Sequence, residues 1–175
     1  MEPLFWIAAG ALFYLYLGYP LALRFLGLFL MRPVAKAPFE PSVTVLIAAR
    51  NEASVIAATV RNKLASEYGP GKLEVIVISD DSDDGTDEVV RSEFAGEPVR
   101  LLVQSPRQGK SAALNLGVAA ARGEILVFSD ANSLYREDAL RALAANFADP
   151  SVGYVTGKMV YAARGEGCVG EGCSA

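Results

Sequence analysis

The sequence predicts an α/β fold: a mainly parallel sheet flanked by helices, preceded by an N-terminal transmembrane helix. Three observations carry that reading. Apolar strand-like runs alternate with amphipathic helical patterns, as parallel βαβ crossovers require. Four of these runs end in polar clusters, and the C-terminal ends of parallel strands are where such a sheet builds its ligand site. A long uncharged stretch stands before all of them.

That stretch, residues 4–23 (LFWIAAGALFYLYLGYPLAL), has no charge over about the 20 residues a spanning helix needs. Apolar character resumes over residues 25–31 after the single Arg24. Trp6, Tyr14, Tyr16 and Tyr19 supply interfacial aromatics, and Pro20 is expected to kink the helix or mark an early exit. A cleaved signal peptide fits poorly. Glu2 is the only early side-chain charge, the run is too long, and no small-residue cleavage site precedes the first strand. Arg24, Arg32 and Lys36 follow, so the positive-inside rule puts the next domain in the cytosol, tethered to the cell (inner) membrane.

Residues 1–31 are therefore read as the transmembrane helix, and the proline-rich residues 32–41 (RPVAKAPFEP) as a stiff linker. Residues 42–163 form one domain, and 164–175 (RGEGCVGEGCSA) a Gly-rich tail with no core pattern. Within the domain, the run at 43–48 opens into Ala49-Arg50-Asn51-Glu52. Over residues 52–68, Ile56, Val60, Leu64 and Tyr68 recur every fourth position, one apolar helix face that Pro70 and Gly71 stop. The run at 73–78 opens into residues 79–86 (SDDSDDGT), where Thr86 is expected to cap the next helix. Val89, Val90 and Phe94 face inward there, and Asp87 and Glu88 suit its positive end. The run at 99–103 opens into QSPRQGK, followed by a helix over 111–121 with Gly123 as its stop. The fourth run ends in Ser129-Asp130-Ala131-Asn132. A helix over 137–148, burying Leu140, Leu143 and Phe147, and a fifth strand over 152–156 complete the pattern.

Composition excludes several functions. A net charge of −4 argues against a nucleic-acid-coating surface. With no histidine, there is no Ser-His-Asp triad, Cys-His pair or imidazole-held metal. Cys168 and Cys173 lack neighbouring ligands and receive no role. Oxygen ligands remain, which favours magnesium or manganese.

Asp130 and Asn132 stand one residue apart at a strand end, so both can face one ligand while Ala131 turns away. Two such oxygen donors beside a phosphate suit a divalent ion that keeps some of its water. Alone the pattern is weak and better describes an Asx turn leading into a helix; the surrounding clusters reverse that preference and favour the site. Asp80 follows a buried strand and can accept from a nucleobase N–H or ribose hydroxyl, whereas Asp83, Asp84 and Thr86 read as turn and cap. Arg50 and Glu52 fit a border of the same crevice better than an isolated surface ion pair. Gly109-Lys110-Ser111 imitates a P-loop, but Gln104 stands where the first glycine belongs and Pro106 lacks an N–H.

Four stretches, VTVLIAARNE, EVIVISDDSDDGTDEVV, GKSAALNLGVAAARGEILVFSDANS and VGYVTGKMVY, resemble family 2 glycosyltransferases of the GT-A, Rossmann-like fold, in family order and spacing. The resemblance implies a donor pocket for a nucleotide-diphosphate sugar, a UDP-sugar first. Ala48, Arg50 and Glu52 would line the nucleoside pocket, Asp80 would recognise the base, and Lys110 would help hold the donor. Asp130 and Asn132 would take the D-x-D positions that bind Mg2+ or Mn2+ and the diphosphate; the neutral Asn132 departs from the second carboxylate, and Asp81 stands where many relatives have glycine. The implied chemistry is inverting transfer to a polysaccharide or glycolipid acceptor. The family's general base lies in a later motif not recognisable here, and Glu166 and Glu171 in the Gly-rich tail are poor substitutes. The chain is thus expected to be an N-terminal, membrane-anchored fragment, inactive alone. A non-catalytic nucleotide-sugar binding module is the alternative; a nucleotidyltransferase lacks its Gly/Arg/Lys-rich phosphate loop.

Overall fold

The computed structural model describes residues 2–158. The Gly-rich tail with Glu166, Cys168, Glu171 and Cys173, and the end of the fourth family-like stretch, lie outside the described residues. The chain divides into two compact units, Met1–Val34 and Ala35–Ala175.

In the first unit, α1 (Glu2–Phe13), a π-helical turn (Tyr14–Gly18) and α2 (Tyr19–Leu30) join into one helix. This 29-residue span, with a mean hydropathy of 1.5 in its most apolar window, is long and apolar enough to cross a membrane by length and composition. Pro20 does not end it. The proline follows directly on the π-helical turn, in which Tyr19 donates its N–H five residues back to the Tyr14 carbonyl. The widened turn makes room for the proline ring without breaking the helix.

The second unit alternates β1 (Val43–Ala49), α3 (Ile56–Leu64), β2 (Leu73–Asp80), α4 (Thr86–Glu93), β3 (Val99–Gln104), α5 (Lys110–Ala120), β4 (Ile125–Asp130) and α6 (Ala139–Ala144), with a 3-10 turn at Ala145–Ala148. The strands pair in parallel in the order β3-β2-β1-β4. Register aligns Ala48 with Asp130, Ala49 with Ser79, and Asp80 with Gln104, so all four strand ends finish at one level. The chain steps outward from β1 to β3 and then returns to the other side of β1. That reversal, between β1 and β4, is where open α/β sheets leave a crevice.

Alternation along the strands divides the core into two layers. Val43, Val45, Ile47, Val75 and Val77 pack with Ile56, Val60, Val90 and Leu140 from α3, α4 and α6 and with Phe94 just past the end of α4. Leu46, Ile76 and Ile78 pack on the opposite side with Ala113 of α5.

Several boundaries differ from the sequence pattern, each for a reason in the packing. Helix α3 is shorter than 52–68 at both ends: the backbone N–H groups of Glu52 and Ala53 donate to the loop after β2, and that of Glu67 donates to the Glu137 carbonyl at 2.8 Å. Gly123 is not the stop of α5, which ends at Ala120. It is instead pressed on β1: a Cβ there would stand 2.4 Å from the Thr44 nitrogen, and its N–H donates to Thr44 Oγ1 at 2.8 Å. Residues 152–156 form no strand. Among the described residues no strand pairs with the outer edge of β4, and Tyr154 is exposed.

Candidate active site

Three loops at the C-terminal strand ends hold one another in place. After β1, Asn51 takes a left-handed conformation (φ 54°), which asparagine tolerates better than most side chains. Its side-chain carbonyl accepts the Asp83 N–H at 3.1 Å, and its own N–H donates to Ser82 Oγ at 3.2 Å. Glu52 N–H donates to Thr86 Oγ1 and Ala53 N–H to Asp84 Oδ2, both at 2.9 Å. Asp84 also accepts the Thr86 N–H and hydroxyl. The hydroxyl of Thr86 first, then the Ala53 N–H, hold the Asp84 carboxyl below its ordinary range. Thr86 is therefore not the cap of α4: Gly85 occupies that position, and Thr86 joins the first loop to the second. Asp81 is also left-handed (φ 60°), a conformation glycine adopts without cost, and its carboxylate accepts from Ser105 Oγ at 2.9 Å.

Asp80 is buried at the end of β2 and organises the third loop. Oδ1 accepts from Gln104 Nε2 at 2.5 Å and Gln108 N at 2.9 Å; Oδ2 accepts from Gly109 N at 2.9 Å and faces Arg107 Nε at 3.9 Å. The Gln108 N–H is the strongest influence holding its pKa below the usual carboxylate value; burial opposes it, and Gln104, Gly109 and Arg107 add to it. Gly109 (φ 92°) gives the turn from which α5 starts. Most of the Asp80 acceptor capacity is thus turned inward to its own chain.

Lys110, the first residue of α5, forms an ion pair with Asp130 Oδ1. The Asp130 side chain is half exposed, and Asn132 beside it is exposed. Ala48, Arg50, Glu52, Asp80, Lys110, Asp130 and Asn132 all line one cavity of about 330 Å³, with Ala49, Arg107 and Ala131. Seven positions singled out in the sequence, from the ends of three strands, two loops and the start of α5, therefore meet at one place. Arg107 was not singled out. Its signal was membership of the polar cluster after β3, two residues before Gly109.

In an open α/β sheet, a polar cavity at the switch point is where a ligand binds. Residues 44–167 match the model for glycosyl transferase family 2, and the chain belongs to that family. It is 34% identical over 157 residues to a beta-monoglucosyldiacylglycerol synthase of Trichormus variabilis, covering 85% of this chain and 33% of that protein. It is 34% identical over 116 residues to a poly-beta-1,6-N-acetyl-D-glucosamine synthase of Staphylococcus aureus, covering 66% of this chain and 28% of that one. A solved mannosyltransferase from Pyrobaculum calidifontis, in complex with GDP-Man and Mn2+, superimposes with a TM-score of 0.71 at 35% identity, over 83% of this chain and 44% of that one. The chain spans about a third of the length of the curated relatives it matches.

Proposed function

We propose that this chain is the donor-binding part of a membrane-anchored, inverting glycosyltransferase that takes a sugar from a nucleotide diphosphate. The observation that supports it most is the convergence of Arg50, Glu52, Asp80, Lys110, Asp130 and Asn132 on one cavity at the switch point. Ala48, Arg50 and Glu52 border the nucleoside. Asp80 holds the third loop as the floor and leaves its remaining Oδ2 lone-pair direction to the base. Lys110, on the cavity wall, supplies positive charge to a diphosphate. The acceptor, by likeness to the lipid and polysaccharide synthases above, is a glycolipid or a growing polysaccharide. The helix Glu2–Leu30 holds the domain on the cytosolic face of the inner membrane.

The donor set fits a hard divalent cation. Among the described residues no group of three Asp, Glu, His or Cys side chains forms a protein-only cage. Asp130 and Asn132 offer two oxygens on an exposed rim, which suits Mg2+ or Mn2+ sharing its other positions with water and phosphate. Bound there, the ion would stabilise the charge of the departing nucleoside diphosphate. Asn132 contributes a neutral oxygen, so the grip is weaker than that of two carboxylates. Of the three cavity carboxylates, Asp80 is bonded within its own loop, Asp130 is paired with Lys110, and Glu52 stands at the border read for the nucleoside. The described residues thus serve the donor, and activation of the acceptor hydroxyl falls to residues outside them.

Calorimetric titration of Mn2+ with UDP and with GDP against the full chain in detergent micelles tests this reading. Metal-dependent nucleotide binding is expected. Asp130→Ala abolishes it, while Asp83→Ala leaves it nearly unchanged; equal losses, or no metal-dependent binding by the folded parent, overturn the assignment.

A further inference from the structure

The segment that carries Asn132 has no regular secondary structure after β4, yet its backbone is held at every second residue by one face of α3. Thr59 Oγ1 donates to the Ala131 carbonyl at 2.6 Å, and Lys63 Nζ donates to the Ser133 carbonyl at 2.5 Å. Asn62 makes a two-way bond with Tyr135, its Nδ2 donating to the carbonyl at 2.9 Å and its Oδ1 accepting the N–H at 2.7 Å. These three side chains stand at i, i+3 and i+4, so they form one stripe along the helix. Asn132 and Leu134 stand between these held residues, so their backbone is fixed on both sides. Asn132 lies on the cavity and Leu134 is exposed.

Lys63 is the largest fully buried side chain among the described residues. It has no carboxylate partner among the bonds it makes: its ammonium meets the Ser133 carbonyl, Asn62 Oδ1 at 3.4 Å and the face of the Tyr135 ring, 3.3 Å from the centroid. Burying an ammonium is costly, and a methionine or leucine would fill the same space without that cost. The stripe around it supplies the explanation, because its bonds go to the backbone flanking Asn132.

We propose that Thr59, Asn62 and Lys63 are positioning residues that clamp the backbone of residues 131–135 and so set Asn132 beside Asp130 for the cation. This rests on the donor-site reading above. The clamp compensates for the weak amide ligand: a neutral oxygen gains little from charge, so its contribution depends on being held in place before the ion arrives.

The test uses the full chain in detergent micelles with Mn2+ and UDP or GDP, whichever the parent binds. Thr59→Val keeps shape and removes the hydroxyl; Thr59→Ser restores it; Lys63→Met keeps the stem and removes the ammonium. Thr59→Val and Lys63→Met are expected to lower Mn2+ affinity about tenfold, equivalent to roughly 1.4 kcal/mol, with Thr59→Ser close to the parent. Val60→Ala, which opens a void on the same helix away from the clamp, should lower the melting temperature yet hold Mn2+ affinity within twofold. Amide hydrogen exchange without metal should show Tyr135 losing protection in Thr59→Val and Lys63→Met but not in Val60→Ala. Unchanged affinity in Thr59→Val overturns the clamp, as does a loss in Val60→Ala equal to that in Thr59→Val. If Lys63→Met fails to fold, the Thr59 pair decides. A parent that binds no Mn2+ with either nucleotide overturns the donor-site reading and the clamp with it; a parent that binds while the variants match it overturns the clamp alone.

Discussion

Asp81 shows how a single backbone angle explains a residue that the pattern of side chains leaves unexplained. Its φ of 60° lies where a Cβ crowds the following carbonyl. Glycine is free there, and aspartate is retained with a bond from Ser105. The usual order of Gly and Ala reverses at such a position: Asp81→Gly should be more stable than Asp81→Ala by about 1 kcal/mol, read from denaturant midpoints. Turn chemistry at 79–86 was legible in the sequence, since Asp, Ser and Gly in that density form little else. The partners were not. That Thr86 would bond Glu52, and Asp84 bond Ala53, depends on two loops more than thirty residues apart meeting in space. Lys63 was still less visible, because a lysine beside an apolar stripe reads as solvated until the chain segment covering it is known.

At the scale of elements, the strands were legible and the helix ends were not. Apolar runs of the length seen at β1 and β2 have few alternatives in a chain that also shows helical periodicity. Helix α3 began later than its periodicity because its first amides serve another loop, and the expected strand at 152–156 has no neighbour to pair with among the described residues. Gly123 illustrates a packing requirement that local sequence disguises as a helix stop. Gly123→Ala would place a methyl against the Thr44 backbone nitrogen at 2.4 Å, where nothing flexible can yield. The expected loss is about 3 kcal/mol, at the upper end for overpacking, with reduced hydrogen-exchange protection at the start of β1 as the measurement that locates it.

For the molecule as a whole, stability should depend on pH through a few groups with opposite signs. Burial pulls the Lys63 pKa from 10.5 down to about 7. Below pH 7 both folded and unfolded lysine are charged, and the cost of burial is carried in full. Between about 7 and 10.5 the unfolded chain holds a proton that the folded one has released, so stability rises with pH. Burial raises Tyr68 from 10.0 to about 12, and also raises Tyr135, so stability falls again once unfolded tyrosines ionise. Asp80 and Glu74, both lowered, lose their contributions as pH drops through the acid range. Thermal melts of the parent should peak between pH 7 and 10, and Lys63→Met should flatten the rise on the neutral side. The strand order that places the cavity was not readable from local pattern, because parallel pairing gives no short-range signal of which neighbour a strand chooses.

The bonds that Asp80 makes to Gln104, Gln108 and Gly109 have a thermodynamic corollary. A floor already fastened from within gives up little conformational entropy when a guest settles on it. Nucleotide docking should then show a small heat-capacity change, free of the large negative value that coupled folding produces.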